Sequence, residues 1–276
     1  MKKLFISDLD GTLLHPNVQL SRRTITILND LIDQGVNFTI ATARSIASVK
    51  SILKEVSINL PIILMNGVCV YDLGKEEYLN VETFSKDSTA LLMSIIASQK
   101  LKGFAYTMKD GEMSTYYEDL SNKALQNFYE ERVKLYKKPF TKVDDFASLA
   151  EEPLIYFTLM DLKENLDPIY PLLENAMDLN CVMYKDNYSP DMWYLEIFSK
   201  KASKYHATEY LRSYLGADSI VCFGDNRNDF SLFEASDYKI AVANAVPELK
   251  EKADLIVDRN AADGVALWLK FNALKG

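Results

Sequence analysis

Lys3-Leu4-Phe5-Ile6-Ser7-Asp8-Leu9-Asp10-Gly11-Thr12 is the stretch that decides the fold. Lys3–Ser7 is apolar and strand-like, and it stops at an Asp/Gly loop. In an extended chain residues two apart point the same way, so Asp8 and Asp10 are expected together at the carboxyl end of a strand. Open α/β sheets bind their ligands there. Two like charges so close are costly unless a cation lies between them or one takes a proton. Both remedies suit catalysis. One carboxylate can attack phosphorus and form an aspartyl-phosphate; the other can protonate a leaving group and later deprotonate water. Read alone, the pentapeptide Asp8–Thr12 also fits a capping turn before a helix.

Outward from this loop the chain alternates strand and helix. Ser21–Gln34 carries Ile25, Ile27, Leu28, Leu31 and Ile32 at helical spacing and stops at Gly35. Asn37–Ala41 reads as a second strand, Ser45–Val56 as a helix capped by Ser45, and Pro61–Met65 as a third strand. The same rhythm returns with a helix over Lys201–Leu215 closed by Gly216 and a strand over Ser219–Phe223. A helix over Asp229–Ala235, a strand over Lys239–Val242, a helix over Pro247–Lys252, a strand over Leu255–Val257 and a helix over Ala262–Leu274 complete it. This order implies an α/β, Rossmann-like, doubly wound parallel sheet. The middle differs. Phe104–Met108 and Met113–Tyr117 flank a Lys-Asp-Gly turn as a hairpin. A helix over Ser121–Leu135, a helix near Glu164–Met177, and strands over Leu154–Met160, Cys181–Lys185 and Met192–Phe198 accompany it. The expected organisation is a core of residues 1–82 and 188–276 with an α+β unit inserted at 83–187.

With 48% apolar and 25% charged residues, the 276-residue chain has material for more than one ordinary core. A formal charge of −8 gives no basic face for nucleic acid, so any phosphate must be held by a local site. Cys69, Cys181 and Cys222 are odd in number and widely spaced, which fits buried reduced thiols in a cytoplasmic protein. Asp8 and Asp10 break the amino-terminal apolar run before it reaches the length of a signal-peptide core, and no apolar run is long enough to span a membrane.

A second acidic loop, Gly224-Asp225-Asn226-Arg227-Asn228-Asp229, follows the strand Ser219–Phe223. Mg²⁺ takes hard oxygen ligands, and Asp225 is placed to complete such a set with Asp8, with Asp229 and Asn228 orienting it. Helix capping by Asn or Asp is the competing account. Thr42, in Ala41-Thr42-Ala43-Arg44-Ser45, offers a hydroxyl and backbone N–H groups ahead of a helix, a natural phosphate cradle. Arg44 would face substrate or solvent. Lys204 falls in the first turn of a helix, where a cation opposes the helix dipole unless it meets an anion; Lys200 and Lys201 are nearby decoys. His15 lies either near the site mouth or at the surface. With only His15 and His206, histidine-based sites are poorly supplied, and no Gly-x-Gly or P-loop pattern occurs.

In this order the pieces resemble the haloacid dehalogenase-like superfamily, and more narrowly its Cof-type phosphatases. Asp8–Thr12 matches its D-x-D-G-T, Thr42 its Thr/Ser, Asn66-Gly67 its N-G, Ser203-Lys204 its S-K-G-like helix start and Gly224–Asp229 its G-D-x-x-N-D. Asn244-Ala245 and Asn260 with Asp263–Ala266 match later segments. Departures are Ala43, Tyr205, Ala243 and Ala262, none at a carboxylate or the lysine. The resemblance implies a Mg²⁺-dependent phosphatase of small phosphorylated metabolites. Asp8 would be nucleophile and metal ligand, and Asp10 general acid/base with its backbone carbonyl on the metal. Asp225 would be a ligand and Asp229 a metal-site support. Thr42 and Lys204 would bind the phosphoryl group, and Asn66 and Asn228 would position substrate or Lys204; Arg44 and Gly67 are further candidates for contact with the substrate. It further implies that the insertion is a class II α+β cap setting specificity. Sugar phosphates, or a cofactor such as pyridoxal phosphate or a flavin nucleotide, are the expected substrates. A phosphomutase or phosphotransferase with the same chemistry, and a phospho-acceptor signalling protein, are the alternatives. Tyr106, Tyr116, Tyr117, Tyr129, Tyr156 and Tyr184 enrich the insertion in tyrosine and are expected in its core.

Overall fold

The computed structural model describes residues 2–176, 178–185 and 191–275. The chain divides into two compact units, Met1–Leu79 with Ser203–Gly276, and Asn80–Ala202. The amino-terminal part runs β1 (Lys3–Ser7), α1 (Arg22–Asp33), β2 (Asn37–Ile40), α2 (Ile46–Ile52), β3 (Ile62–Leu64), β4 (Cys69–Asp72) and β5 (Glu77–Val81). The insertion follows with α3 (Lys86–Gln99), β6 (Gly103–Lys109), β7 (Glu112–Tyr117), α4 (Lys123–Tyr136) and β8 (Thr141–Lys142). It ends with β9 (Leu154–Leu162), α5 (Lys163–Leu166), α6 (Tyr170–Glu174), β10 (Leu179–Lys185) and β11 (Met192–Ser199). The carboxyl-terminal part is α7 (Lys204–Leu215), β12 (Ser219–Gly224), α8 (Phe230–Glu234), β13 (Tyr238–Val242), α9 (Pro247–Lys250), β14 (Leu255–Val257) and α10 (Gly264–Asn272).

The first unit is built on a parallel sheet in the order β14-β13-β12-β1-β2. β1 lies inside the sheet between β12 and β2, and its Leu4, Phe5 and Ile6 are buried. Helix starts follow the cap chemistry in the sequence: Ser21 accepts from the Thr24 N–H and Ser203 from the His206 N–H. Gly216 closes α7 in a left-handed conformation. The third strand departs from expectation. β3 pairs antiparallel with β4 in a separate three-stranded sheet, β3-β4-β5, and touches β2 through one parallel bridge, Ala41 to Ile63.

The second unit is a six-stranded sheet in the order β10-β11-β9-β6-β7-β8. The expected hairpin is β6–β7. The expected boundary at 187/188 lies outside the described residues. β11, assigned by the sequence to the core, instead pairs antiparallel with both β9 and β10, so its ladder holds it in the insertion. The helix expected near 164–177 is two short helices, because Pro168 and Pro171 cannot donate to a continuous ladder; its end at Met177 lies outside the described residues. Ala105, Phe157, Leu159, Leu195 and Ile197 line one sheet face and share a cluster with Leu92 and Ile96 of α3 and Leu173 of α6. Strand alternation sends Phe104, Tyr106, Tyr156, Thr158 and Glu196 to the other face.

Gly103 begins β6, and a Cβ there would lie 2.2 Å from the Thr158 carbonyl oxygen. The obstructing atom belongs to the backbone of the neighbouring strand β9, so it cannot yield as the end of a side chain would. Gly103→Ala is expected to destabilise the chain by about 1–3 kcal/mol, the usual cost of overpacking, read as a lowered midpoint in urea unfolding.

Candidate active site

The site gathers at the carboxyl ends of the adjacent parallel strands β1 and β12. Asp8 follows β1 directly, and its N–H donates to the Phe223 carbonyl of β12 at 3.0 Å. Asp225 follows β12, and Asp229 comes one turn later. Oxygens of Asp8, Asp225 and Asp229 lie within 4.8 Å of one another, and all three residues are buried. The loop Asp225–Asp229 folds on itself because the Asp229 Oδ2 accepts from the N–H groups of Asp225 at 2.9 Å and Asn226 at 3.1 Å.

Lys204 is fully buried, and its Nζ donates to Asp8 Oδ1 at 2.8 Å and Asp229 Oδ1 at 2.7 Å. Burial works against the ammonium, but Asp229 and Asp8 outweigh it and raise its pKa above the ordinary lysine value. The carboxylates remain in excess. Burial, and then Asp229, push Asp8 from 3.8 up to about 7 despite Lys204. Burial, then Asp8 and Asp229, hold Asp225 well above the ordinary carboxylate range. Buried anionic oxygens that one ammonium does not neutralise are the donor set of a hard divalent cation. Asp8, Asp225 and Asp229 therefore fit such an ion.

Asp10 is held differently. β1 ends at Ser7, and the chain turns through Asp10 (φ −74°, ψ 120°) and Gly11 (φ 79°) in a wide helical turn. Strand alternation therefore does not carry both side chains onto one face. The Asp10 carboxylate instead takes both arms of Arg44, with Nε and Nη2 each at 2.7 Å. Arg44, expected toward substrate or solvent, is thus the partner of Asp10. Asp10 still lies close enough to Asp8 to raise its pKa.

Thr42 is buried, its Oγ1 accepting from the Arg44 N–H at 3.1 Å and its carbonyl from the Asn66 N–H at 3.0 Å. Met65, Asn66 and Gly67 all have positive φ, a tight turn that places Asn66 Oδ1 3.2 Å from the donating Asn228 Nδ2. Gly67, expected at the substrate, has a packing role: a Cβ would lie 2.0 Å from the Ser203 carbonyl oxygen, so its absence lets the start of α7 approach. His15, expected at the site mouth or the surface, is partly exposed; its Nε2 meets Asp263 Oδ1 at 2.7 Å, alongside Ser21 and Thr24 hydroxyls.

Other supports had no role in the sequence reading. Thr12 Oγ1 donates to Asp225 Oδ1 at 3.1 Å. A Cβ on Gly11 would lie 2.1 Å from Asp225 Oδ2. Asn244 Nδ2 donates to the Gly11 carbonyl at 2.7 Å, and Asn260 both donates to Leu14 and is received by Asn244. Thr12 and Gly11 belong to the Asp8–Thr12 motif, and Asn244 and Asn260 to the later matching segments, but the sequence assigns none of the four a part in the site.

The family model described as haloacid dehalogenase-like hydrolase matches residues 5–269. The phosphatase YwpJ of Bacillus subtilis is 28% identical, with 97% of this chain and 99% of that protein covered. The 5-amino-6-(5-phospho-D-ribitylamino)uracil phosphatase YwtE of the same organism is 27% identical, covering 97% and 96%. A solved haloacid dehalogenase-like hydrolase from B. subtilis shares the fold, with a TM-score of 0.82, 24% identity and 99% and 100% coverage. With its family model matched over nearly the whole chain and its acidic loops meeting at two strand ends, the chain belongs to the haloacid dehalogenase-like hydrolases.

Proposed function

We propose that this hydrolase is a Mg²⁺-dependent phosphatase that cleaves small phosphate monoesters through an aspartyl-phosphate on Asp8. The observation that carries the reading is the buried trio Asp8, Asp225 and Asp229 with Lys204 bound to two of them. When bound, Mg²⁺ supplies charge neutralisation at the phosphoryl oxygens and at Asp8. Lys204 adds a fixed positive charge beside Asp8, and the turn after Thr42 offers hydroxyl and N–H groups to phosphate oxygens. Asp8 attacks phosphorus, and Asp10 gives its proton to the leaving alcohol. Asp10 then takes a proton from the water that opens the acyl-phosphate, releasing inorganic phosphate. Arg44 holds both Asp10 oxygens in this structure, an arrangement that favours the carboxylate, so the acid step requires Arg44 to release one of them. Asp229 positions Lys204 and the Asp225 loop, and Asn66 with Asn228 positions the turn beside Thr42.

The insertion, as a specificity cap, is part of the same proposal. So is the substrate class of sugar phosphates or phosphorylated cofactors. YwtE supports that class, because the compound in its name carries its phosphate on a ribityl chain joined to a heterocycle. Three free, buried cysteines support a reducing, cytoplasmic setting. Among the described residues no helix is long and apolar enough to cross a membrane.

A phosphate-release screen over monoesters with Mg²⁺ is expected to show turnover that chelation abolishes. Asp8→Asn should reduce kcat by at least ~100-fold, the scale of losing a principal catalytic group; equal rates would remove Asp8 from the nucleophile role.

The excess buried charge gives two further expectations. Asp225→Asn removes one like charge while keeping an acceptor for Thr12. Without metal at pH 8 it should raise Tm by a few degrees, for roughly 1 kcal/mol gained, and it should abolish the Tm rise that Mg²⁺ gives the parent chain. The pH dependence has a definite sign. In the metal-free fold Asp8 keeps its proton up to about 7, whereas its ordinary value is 3.8. The site thus costs increasing stability as pH rises between those values and nothing below them. Mg²⁺ takes the ionised carboxylates, so its apparent affinity should rise with pH as Asp8 and Asp225 lose their protons. Calorimetric titration across pH 5.5–8.5 measures this.

A further inference from the structure

Lys138 is a buried lysine that the chemistry above does not use. It is 6% exposed, and it has no hydrogen-bond or carboxylate partner for its ammonium among the described residues. Its Nζ stands 4.3 Å from the centre of the Tyr106 ring and 5.2 Å from that of Phe140. A second cation adjoins the same aromatic group. Arg132 has a side chain 15% exposed and lies over Phe128 at 3.3 Å; its Nη1 donates to the Phe128 carbonyl at 3.4 Å and meets the partly exposed Glu131 at 3.3 Å. Phe104 joins the two, stacked on Phe128 at 4.7 Å and edge-on to Phe140 at 5.3 Å. Ring faces recover part of the cost of burying a cation, about 0.5–2 kcal/mol, and leave the larger part of its desolvation uncompensated. Burial, and then repulsion from Arg132, hold the Lys138 pKa well below the ordinary lysine value. Among the described residues Glu196 is a buried acid of this sheet face, and it acts on Tyr106 and Tyr184. An oxyanion would supply the partner that the Lys138 ammonium lacks among the described residues, with the Arg132 guanidinium close enough to add a second positive charge.

We propose that Lys138 and Arg132 form an oxyanion site inside the inserted unit, taking a carboxylate or phosphate group of a small molecule. Two sources share that chemistry: the second anionic group of a phosphate-monoester substrate, which rests on the phosphatase reading, and a free anion acting as an effector.

The test uses the full chain and its Lys138→Met and Lys138→Arg variants, with Lys86→Met, a 90% exposed lysine side chain, as control. Calorimetric titration with malonate and with orthophosphate is the direct readout. The parent chain and Lys86→Met are expected to bind, Lys138→Met to lose affinity roughly 10- to 100-fold, the worth of one charge-assisted hydrogen bond, and Lys138→Arg to recover part of it. Kinetics on the matched pair 6-phosphogluconate and glucose 6-phosphate separate the sources. A preference for the carboxylate-bearing ester, seen in KM and lost in Lys138→Met, assigns the site to substrate; malonate binding without that preference assigns it to a free anion. Unchanged anion affinity in Lys138→Met would overturn the proposal. So would a Tm in that variant lower by ~10 °C or more, since it would show that the ammonium is satisfied within the fold. Failure to hydrolyse any monoester would defeat the phosphatase reading alone and leave the titration standing.

Discussion

Everything in the first unit depends on burying more carboxylate than ammonium at one point. Asp8, Asp225 and Asp229 are brought out of water by β1 and β12, and Lys204 answers two of them. Such a cluster is unfavourable in isolation, because removing charges from water costs several kcal/mol for each ion and like charges add to it. The surrounding fold is organised to bear that cost. Asp229 spends one oxygen on Lys204 and the other on two backbone N–H groups, so its charge is answered from both sides. Asp8 and Asp225 are answered less completely, and their pKa values climb. The residual demand is for a cation, and the fold leaves it where a phosphate ester would also need one.

Close backbone approach makes this geometry possible. Gly11 admits the Asp225 carboxylate and Gly224 admits that of Asp229, each where a methyl group would collide with it. Gly67 lets the Ser203 carbonyl sit against the Met65–Gly67 turn, which sets where α7 begins and so where Lys204 enters. The helix dipole at that end disfavours a cation by about 0.3–1 kcal/mol. Two carboxylates within 3 Å outweigh this easily, so a position that looks wrong for a free helix is right for this one.

The acidic loops and the parallel core were legible because each follows a short apolar strand and is marked by Gly and Asp at fixed spacing. Lys204 was legible as a cation against a dipole, although only burial separates it from Lys200 and Lys201, both exposed. The Asp10–Arg44 pair was not legible. The strand end at Ser7 agrees with the sequence, but the spacing of Asp8 and Asp10 puts them together only if extended chain continues through them, whereas the chain turns there. One residue more of extended chain would have turned the Asp10 side chain elsewhere. α3 was missed for a different reason. Its Leu91-Leu92-Met93-Ser94-Ile95-Ile96 run is apolar almost all round, so helical period does not stand out, and Leu91 is exposed. β11 reads correctly as a strand, but which sheet receives it is decided by its partners β9 and β10, not by its own residues.

The two cation environments in the chain make opposite use of burial. Lys204 is buried among carboxylates, which raise its pKa and fix its charge. Lys138 is buried among rings beside Arg132, which lowers its pKa and leaves its charge dependent on what else is present. A fixed charge suits a reaction in which negative charge must be met on arrival without reorganisation. A conditional charge suits recognition, because the free energy of protonating the amine is returned only by an anion that pairs with it. The same side chain thus serves positioning in one unit and discrimination in the other, and the difference lies in whether acids or aromatics surround it.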